Sequence, residues 1–233
     1  VYHERIQTPG VSPDEARAMT RGNNTVIASL MLDAGAVDAM ICGTVGRYHN
    51  HLRHVSQVVG LGEGVDKLSS LNVLLLPQGQ LVFICDTQVS EDPTPREIVN
   101  MTLLAADQVR RFGNMPKAAL LSHSNYGSSG SASAQKMRSA LALITKEAPD
   151  LIVDGEMHGD SALSEAIRKR LYPNTSFDGE ANLLIMPTLD AANITYNIVK
   201  TVTGATSIGP ILLGAAKPVH ILTPSVTSRG VVN

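Results

Sequence analysis

Residues 118–131 read AALLSHSNYGSSGS and join a short apolar run to a loop of small and polar residues. The run Ala118–Leu121 has the length and composition of a buried strand, and the periodicity of Ser133–Lys146 predicts a helix. A strand, a loop and a helix in this order are typical of proteins in which helices cover a parallel sheet. This stretch therefore predicts an α/β fold.

The chain after this stretch repeats the alternation of strand and helix. Strands are predicted at Leu151–Val153 and Ala181–Met186, and helices follow them at Ser161–Arg170 and Ala192–Thr201. Short apolar runs between amphipathic helices favour a mostly parallel sheet with helices on both faces and right-handed crossovers.

The chain before this stretch begins the same sheet with a hairpin. The apolar runs Val73–Leu76 and Leu81–Cys85 are joined by Pro-Gln-Gly-Gln, a turn of hairpin length, so this pair should be antiparallel. A helix from Thr94 to about Arg111 follows, with a proline at its start and two arginines in its last turn.

The first 64 residues predict a separate group of elements. Ser12, Pro13 and Glu15 form a capping signal for a helix over residues 12–33, which residues 22–24 (Gly-Asn-Asn) should break in two. A strand at Ala36–Ile41 and a helix at His49–Val59 should follow. The glycine-rich residues 60–64 are a candidate hinge.

Composition limits the classes to which this chain can belong. It has 233 residues, 43% of them hydrophobic and 17% charged, which fits a compact folded protein rather than a disordered one. The net charge of −2 argues against nucleic acid or an anionic membrane as a partner. The two cysteines lie in apolar surroundings, which favours a reducing cytoplasm, and no apolar run approaches the length of a membrane span. The chain begins without methionine, and we expect it to be part of a longer polypeptide.

The loop at residues 122–131 is the most suggestive candidate site. Ligands of open parallel sheets collect beyond the carboxyl ends of the strands, where loop amides and hydroxyls could hold a phosphate or an acyl phosphate. The loop matches neither the Walker A motif nor a dinucleotide fingerprint. An anion-binding loop and a merely flexible loop are equally good interpretations of these residues alone.

Two other clusters could in principle bind a metal ion. Residues 154–160 alternate acidic and imidazole side chains, but Asp160 is better explained as the N-cap of the predicted helix at 161–170. His49, His51 and His54 lack the four-residue spacing that places two imidazoles over one metal. We predict no metal site in this chain. Arg53 beside these histidines is a better candidate for contact with an anion.

Four segments in order distinguish this chain: AMICGTV at 39–45, LSHSNYGSS at 121–129, APDLIVDGE at 148–156 and IGPILLGAAKPV at 208–219. The set resembles the phosphate acetyltransferase and butyryltransferase family over essentially the whole chain. The versions of residues 122–125 and 156–160 look most like the C-terminal domain of large bacterial NADP-dependent malic enzymes.

The resemblance implies two α/β domains with a cleft between them in which coenzyme A and acyl phosphate meet. Residues 1–62 with 217–233 would form one domain and residues 63–216 the other. Arg53 stands where active members have an arginine thought to contact coenzyme A. The ligand-binding residues implied are Arg53, Ser122, Ser124, Asn125, Gly127, Ser128, Lys217 and Pro218.

The resemblance also implies that the chemistry of the family is lost. Active transferases follow their Lys-Pro-Val segment with a catalytic serine and arginine and then a catalytic aspartate. In ungapped register these three positions hold Thr223, Pro224 and Gly230. Pro224 has no cation for a developing oxyanion, and Gly230 has no carboxylate to accept a proton. Ser228 and Arg229 repeat the family letters five residues later, but using them requires an insertion.

We therefore expect a non-catalytic domain of an NADP-dependent malic enzyme that binds acetyl-CoA as an effector and supports homo-oligomerisation through residues 63–216. By the same resemblance, a covalently linked malic enzyme part would use NADP and a divalent metal to decarboxylate malate oxidatively. The alternative is an active phosphate acetyltransferase that exchanges acetyl groups between coenzyme A and phosphate.

Overall fold

The structure is a computed structural model that describes residues 12–173, 175 and 177–232. The described residues fall into two compact units. Residues 12–68 and 209–232 form the first unit, and residues 69–208 form the second.

The division lies at different residues from the predicted boundaries at 62/63 and 216/217. The reason is pairing between the two segments near the crossing. The amide of Gly62 donates to the carbonyl of Gly214 at 2.8 Å, the amide of Ala216 donates to that of Gly60 at 3.1 Å, and Leu61 forms an isolated bridge with Ala215. These backbone contacts keep residues 60–68 and 209–216 together in the first unit.

The strands of the large sheet are β2 (Ser69–Leu75), β3 (Leu81–Cys85), β4 (Lys117–Leu121), β5 (Ile152–Met157), β6 (Leu183–Ile185) and β7 (Thr206–Leu213), the last running across the boundary between the units. Their order in the sheet is β5-β4-β6-β3-β2-β7. Strands β3, β6, β4 and β5 are parallel, and β2 is antiparallel to β3 as the hairpin predicts.

Helices cover both faces of this sheet, which confirms the predicted α/β class. Neighbouring residues of one strand point to opposite faces, yet Phe83 and Ile84 are both fully buried, as are Ala118 and Ala119. The helices of the second unit are α4 (Pro95–Arg111), α5 (Ala132–Glu147), α6 (Gly159–Leu163), α7 (Glu165–Leu171) and α8 (Leu189–Thr203).

Local capping signals set the helix starts where the sequence predicts them. Thr94 and Glu97 form a reciprocal capping box at the start of α4, and the hydroxyl of Ser131 caps α5 by accepting from the amide of Ala134. The side-chain oxygens satisfy amides that have no partner within the helix.

The prediction of one helix at residues 161–170 with Asp160 as its N-cap is wrong. The segment forms the two short helices α6 and α7, and Asp160 lies inside the first of them. Ser164 separates them in extended backbone conformation and caps α7, because its hydroxyl accepts from the amide of Ile167 at 3.4 Å. The preceding strand β5 also continues to Met157, beyond the predicted end at Val153.

The first unit contains a two-stranded parallel sheet in which Met40 pairs with Val219 and Gly43 with Leu222. Its strands are β1 (Met40–Gly43) and β8 (Val219–Leu222), and its helices are α1 (Pro13–Gly22), α2 (Asn24–Asp33), α3 (Tyr48–Val58) and α9 (Ser228–Val232). The predicted break at residues 22–24 is confirmed. The predicted strand at 36–41 is displaced toward the C-terminus, since residues 36, 38 and 39 are exposed and only Met40 begins the pairing.

Among the described residues, no helix combines the length and the apolar character needed to cross a membrane.

Candidate functional site

The loop Ser122–Ser131 in the second unit follows the carboxyl end of β4 and leads into α5. It folds over one buried carboxylate, that of Glu156 on the neighbouring strand β5. Oε1 of Glu156 accepts hydrogen bonds from the hydroxyl of Ser124 at 2.5 Å, the amide of Gly127 at 3.0 Å and Nη1 of Arg138 at 2.8 Å. The loop donors therefore hold an anion that belongs to the chain itself.

The charge of Glu156 is stabilised by these partners. Burial alone would raise the pKa of Glu156, but hydrogen bonds from Ser124 and Gly127 and the cation of Arg138 outweigh it and hold the pKa below 4.5. The residue is fully buried and its second oxygen, Oε2, has no hydrogen-bond partner among the described residues. Glu156 is thus a carboxylate at neutral pH.

Several other polar groups of the loop also have partners within the chain. The amide of Ser129 donates to the hydroxyl of Ser124, and the amide of Asn125 donates to the hydroxyl of Ser128. The side-chain oxygen of Asn125 accepts from the amide of His158 at 2.8 Å. Ser122 accepts from the amide of Ser124 at 3.1 Å. These bonds give the loop a defined conformation.

This geometry corrects the role predicted for Ser124. Ser124 is fully buried, and its hydroxyl is held by Glu156, so in this conformation it cannot contact a ligand. The amide of Gly127 donates to Glu156, but Gly127 is exposed, and its ligand role remains a prediction. Ser128 is exposed, and Ser122 and Asn125 are half-buried, so their ligand roles remain predictions.

The alternating side chains of residues 154–158 have separate partners in the second unit. Oδ2 of Asp154 accepts from the hydroxyl of Tyr126 at 2.8 Å, and Nε2 of His158 lies 2.9 Å from the carbonyl oxygen of His123. Within the described ranges, no group of three or more His, Cys, Asp or Glu side chains is arranged to hold a metal ion.

A second candidate site lies in the first unit, where the parallel strands β1 and β8 end side by side. Gly43 ends β1 with φ +100°, and a Cβ there would lie 2.2 Å from the carbonyl oxygen of Leu222. Only glycine allows this approach. The amide of Thr44 then donates to the same carbonyl at 3.1 Å, which fixes the start of the segment that carries Thr223.

Two of the three clustered histidines have structural partners in the first unit. Nε2 of His51 donates to the carbonyl of Val45 at 2.8 Å, so its Nδ1 accepts from the hydroxyl of Thr25 at 2.7 Å. Asn23 uses its oxygen to cap α2 and therefore donates its amide to Nε2 of His54 at 3.1 Å. Burial and the nearby Arg53 and His51 lower the pKa of His54, so this imidazole is neutral.

Arg53 and Lys217 differ in how free their charges are. Arg53 is exposed on α3 and has no hydrogen bond or ion pair with a described residue. The ammonium of Lys217 donates to the carbonyls of Leu32 and Asp33, both at 2.8 Å, at the C-terminus of α2. Lys217 therefore caps the end of α2 in this structure, and its ligand role remains a prediction. Pro218 is exposed.

The structure places the three positions that the resemblance marks as catalytic in the first unit. The hydroxyl of Thr223 lies 3.0 Å from that of Ser225, Pro224 is exposed, and Gly230 lies within α9. Ser228 and Arg229 are exposed at the start of the same five-residue helix.

Arg138 is the site residue that sequence reasoning missed. It lies in α5, 18 residues before Glu156, and its guanidinium also donates to the carbonyl of Ser129 at 3.1 Å. A buried glutamate requires a donor or a cation as partner, but the predicted strand ended at Val153 and did not include Glu156. The sequence does not say which cation that is.

Comparison with known proteins gives one family and two kinds of relative. The family described as phosphate acetyl/butaryl transferase matches residues 1–233. An NAD-dependent malic enzyme of Rhizobium meliloti is 56% identical over 232 residues, which cover all of this chain and 30% of that protein. A phosphate acetyltransferase of Paracoccus denitrificans is 36% identical over 240 residues, which cover all of this chain and 74% of that protein.

A solved structure agrees with the fold. A phosphotransacetylase from Streptococcus pyogenes matches 99% of this chain and 70% of its own with a TM-score of 0.91 and 26% identity. The chain thus spans 30% of the Rhizobium meliloti malic enzyme and 74% of the Paracoccus denitrificans transferase. It spans only 30%, 31% and 33% of three other phosphate acetyltransferases that it matches.

Proposed function

Because this chain belongs to the phosphate acetyl/butaryl transferase family, we propose that it is a non-catalytic, acetyl-CoA-binding regulatory part of a malic enzyme. The main support is the loss of three functional groups at Thr223, Pro224 and Gly230. Without a cation for the oxyanion or a carboxylate for the thiol proton, the family reaction lacks its charge stabilisation and its base.

Binding can persist after the chemistry is lost. Transition-state groups and ground-state contacts are separable, so removing the former does not abolish affinity for the ligand. Arg53 supports this view, since it is exposed and its guanidinium is not used by any described residue. Guanidinium groups suit the phosphates of coenzyme A. Acetyl-CoA is the proposed effector because it lies downstream of pyruvate, the product of malate decarboxylation.

The malic enzyme activity itself is assigned to a linked part of the polypeptide. The likeness to the Rhizobium meliloti enzyme, of which this chain matches 30%, supports such a fusion. We propose that this linked part also binds the nicotinamide coenzyme and the divalent metal, in keeping with the malic enzyme names of the relatives. The proposed coenzyme is NADP, whereas the relative is named for NAD. We further propose a cytoplasmic location, which the two free cysteines support.

The first test is an assay of acetyl transfer from acetyl-CoA to phosphate. We expect a rate at least about 1,000-fold below that of an active transferase, because the missing groups act as a unit in the transition state. The phosphate acetyltransferase of Paracoccus denitrificans, measured in parallel, is the matched positive control. A turnover of about 10 per second is the median for enzymes, and such a value would support the alternative of an active transferase.

The second test is calorimetric titration of the full-length protein with acetyl-CoA. We expect binding, and we expect Arg53→Ala to weaken it about tenfold or more, because a charge-assisted contact to phosphate is lost. Arg17→Ala is the control, since Arg17 is an exposed arginine of the same unit that already pairs with Asp14 at 3.0 Å. Absence of binding overturns the regulatory function, and equal binding by Arg53→Ala overturns this position of the site.

The alternative function keeps a specific argument in its favour. The Paracoccus denitrificans relative is named a phosphate acetyltransferase, and this chain matches 74% of its length. If the transferase assay is positive, Ser228 and Arg229 are the residues to replace first, because both are exposed. Together they carry a hydroxyl and a cation, whereas the pair Thr223 and Pro224 has a hydroxyl but no cation.

A further inference from the structure

Arg138 in α5 fastens the loop Ser122–Ser131 to the neighbouring strand. Its Nη1 atom donates to Oε1 of Glu156 at 2.8 Å and to the carbonyl oxygen of Ser129 at 3.1 Å. The first bond reaches β5, and the second reaches the loop itself. Because the donor is a cation, both bonds are charge-assisted, and such bonds are stronger than those between neutral groups.

Glu156 extends this connection to the middle of the loop. Its carboxylate accepts from the hydroxyl of Ser124 at 2.5 Å and from the amide of Gly127 at 3.0 Å, and its backbone carbonyl accepts from the amide of Tyr126 at 2.7 Å. Glu156 is fully buried, and a buried charge without partners is strongly unfavourable. A loop conformation that separates these donors from Glu156 is therefore unfavourable as well.

The exposed hydroxyl of Ser128 is connected to this buried pair. It lies 3.2 Å from the hydroxyl of Ser124 and accepts from the amide of Asn125 at 2.9 Å. Because Ser124 gives its one proton to Glu156, Ser128 must be the donor in its contact with Ser124. The position and the orientation of an exposed hydroxyl thus depend on the contact between Glu156 and Arg138.

We propose that Arg138 is a positioning residue for acetyl-CoA binding, which acts through Glu156 and the loop rather than by contact with the ligand. This inference rests on the proposed function and on the ligand role predicted for Ser128. Without the guanidinium, the buried carboxylate lacks its cation and must find other partners, and the loop donors move with it. The conformation that presents Ser128 is then one of several, and the apparent affinity falls in proportion to its population.

The experiment is calorimetric titration of the full-length protein and its variants with acetyl-CoA, arranged as a double-mutant cycle. We expect Arg138→Met to weaken binding about tenfold, the size of one charge-assisted hydrogen bond. Arg138→Lys should weaken it less, because the ammonium keeps the charge but not the planar fork. Ser128→Ala alone should weaken binding about threefold, as one neutral hydrogen bond allows. In the Arg138→Met background it should have almost no further effect, since residues of one hydrogen-bond network are not additive.

Arg53→Ala is the control for this cycle. Arg53 lies in the first unit and shares no partner with Arg138 among the described residues, so its loss should weaken binding by the same factor in both backgrounds. Circular dichroism at the temperature of the titration shows whether each variant is folded. If Arg138→Met is not folded, Glu156→Gln takes its place in the cycle, because it removes the charge and nearly keeps the shape of the side chain. It should likewise weaken binding and remove the effect of Ser128→Ala.

The possible results separate this inference from the proposed function. Absence of acetyl-CoA binding by the unmodified protein overturns the proposed function and the inference together. If the unmodified protein binds acetyl-CoA, equal binding by Arg138→Met overturns the inference alone, and so does an equal effect of Ser128→Ala in both backgrounds. Tighter binding by Glu156→Gln would show that the released Arg138 contacts the ligand itself, and the positioning role would be overturned.

Discussion

Glu156 is the residue on which the conformation of the loop Ser122–Ser131 depends. Its carboxylate is fully buried, and one oxygen accepts from Ser124, Gly127 and Arg138. A buried carboxylate needs such donors because its desolvation is otherwise unfavourable by several kcal/mol. The same donors that the sequence offers to a phosphate are thus used to stabilise the fold.

Replacing Glu156 should therefore lower the stability of the fold. We expect Glu156→Gln to reduce the free energy of unfolding by about 1–3 kcal/mol, since the charge-assisted bonds are weakened in a buried site. Urea denaturation followed by far-ultraviolet circular dichroism measures it, because the chain has no tryptophan to report fluorescence.

The pH dependence of this contribution has a defined sign. The pKa of Glu156 in the fold lies below its ordinary value of 4.5, so its contribution is present above pH 4.5 and is lost as the pH falls through the folded-state pKa. The control is Glu147→Gln, whose exposed pair with Arg96 should contribute less than about 1 kcal/mol. Equal losses for the two variants would contradict the central role of Glu156.

At the scale of elements, the end of α2 depends on a side chain from the distant segment before β8. Lys217 binds the carbonyls of Leu32 and Asp33, 185 and 184 residues away in sequence. The last carbonyls of a helix have no partner within it, and a cation there interacts favourably with the helix dipole. This contact joins the two sequence segments of the first unit.

Lys217→Met should separate stability from ligand binding. We expect it to lower the free energy of unfolding by about 1–2 kcal/mol, because two carbonyls lose their donor, and to leave the affinity for acetyl-CoA unchanged. Thermal unfolding and calorimetric titration of the same preparation provide the two measurements. A large loss of affinity without a loss of stability would support the ligand role that the sequence predicts for Lys217.

At the scale of the whole molecule, α8 leaves an apolar stripe exposed. Ile194 and Ile198 are each 57% exposed and Val202 is 80% exposed, at a spacing of four residues that aligns them on one helix face. This stripe lies within residues 63–216, through which we predict homo-oligomerisation. Two-fold dimers bury the same surface of each copy, so one helix can supply both sides of the contact.

Light scattering during gel filtration tests this prediction at micromolar concentration. We expect the unmodified chain to be a dimer or larger and Ile198→Glu to shift it toward the monomer, because two like charges would meet in an apolar contact. Met115→Glu is the matched control, since Met115 is 66% exposed in the same unit but lies outside α8. A monomeric unmodified chain would contradict the prediction.

The sequence by itself determined the features that depend on neighbouring residues. The capping boxes at Ser12 and Thr94, the break before Asn24 and the hairpin of β2 and β3 were all predictable, because each is decided by side chains a few residues apart. The alternation of apolar runs and amphipathic helices likewise determined the α/β class. Errors occurred where a local signal had competitors, as at Asp160, whose predicted capping role is taken by Ser164 at the start of α7.

Only the tertiary structure decided how the charged side chains of the candidate sites are used. Arg138 binds Glu156 although the two are 18 residues apart in sequence, and Ser124 binds Glu156 across 32 residues. Lys217 binds the carbonyl of Leu32 in α2 across 185 residues. The sequence shows that these groups need partners but not which partners they find, since the choice depends on which loops and strand ends the fold brings within hydrogen-bond distance. Arg53 is a further example. The sequence suggests that it contacts an anion, but only the structure shows that its guanidinium has no partner among the described residues.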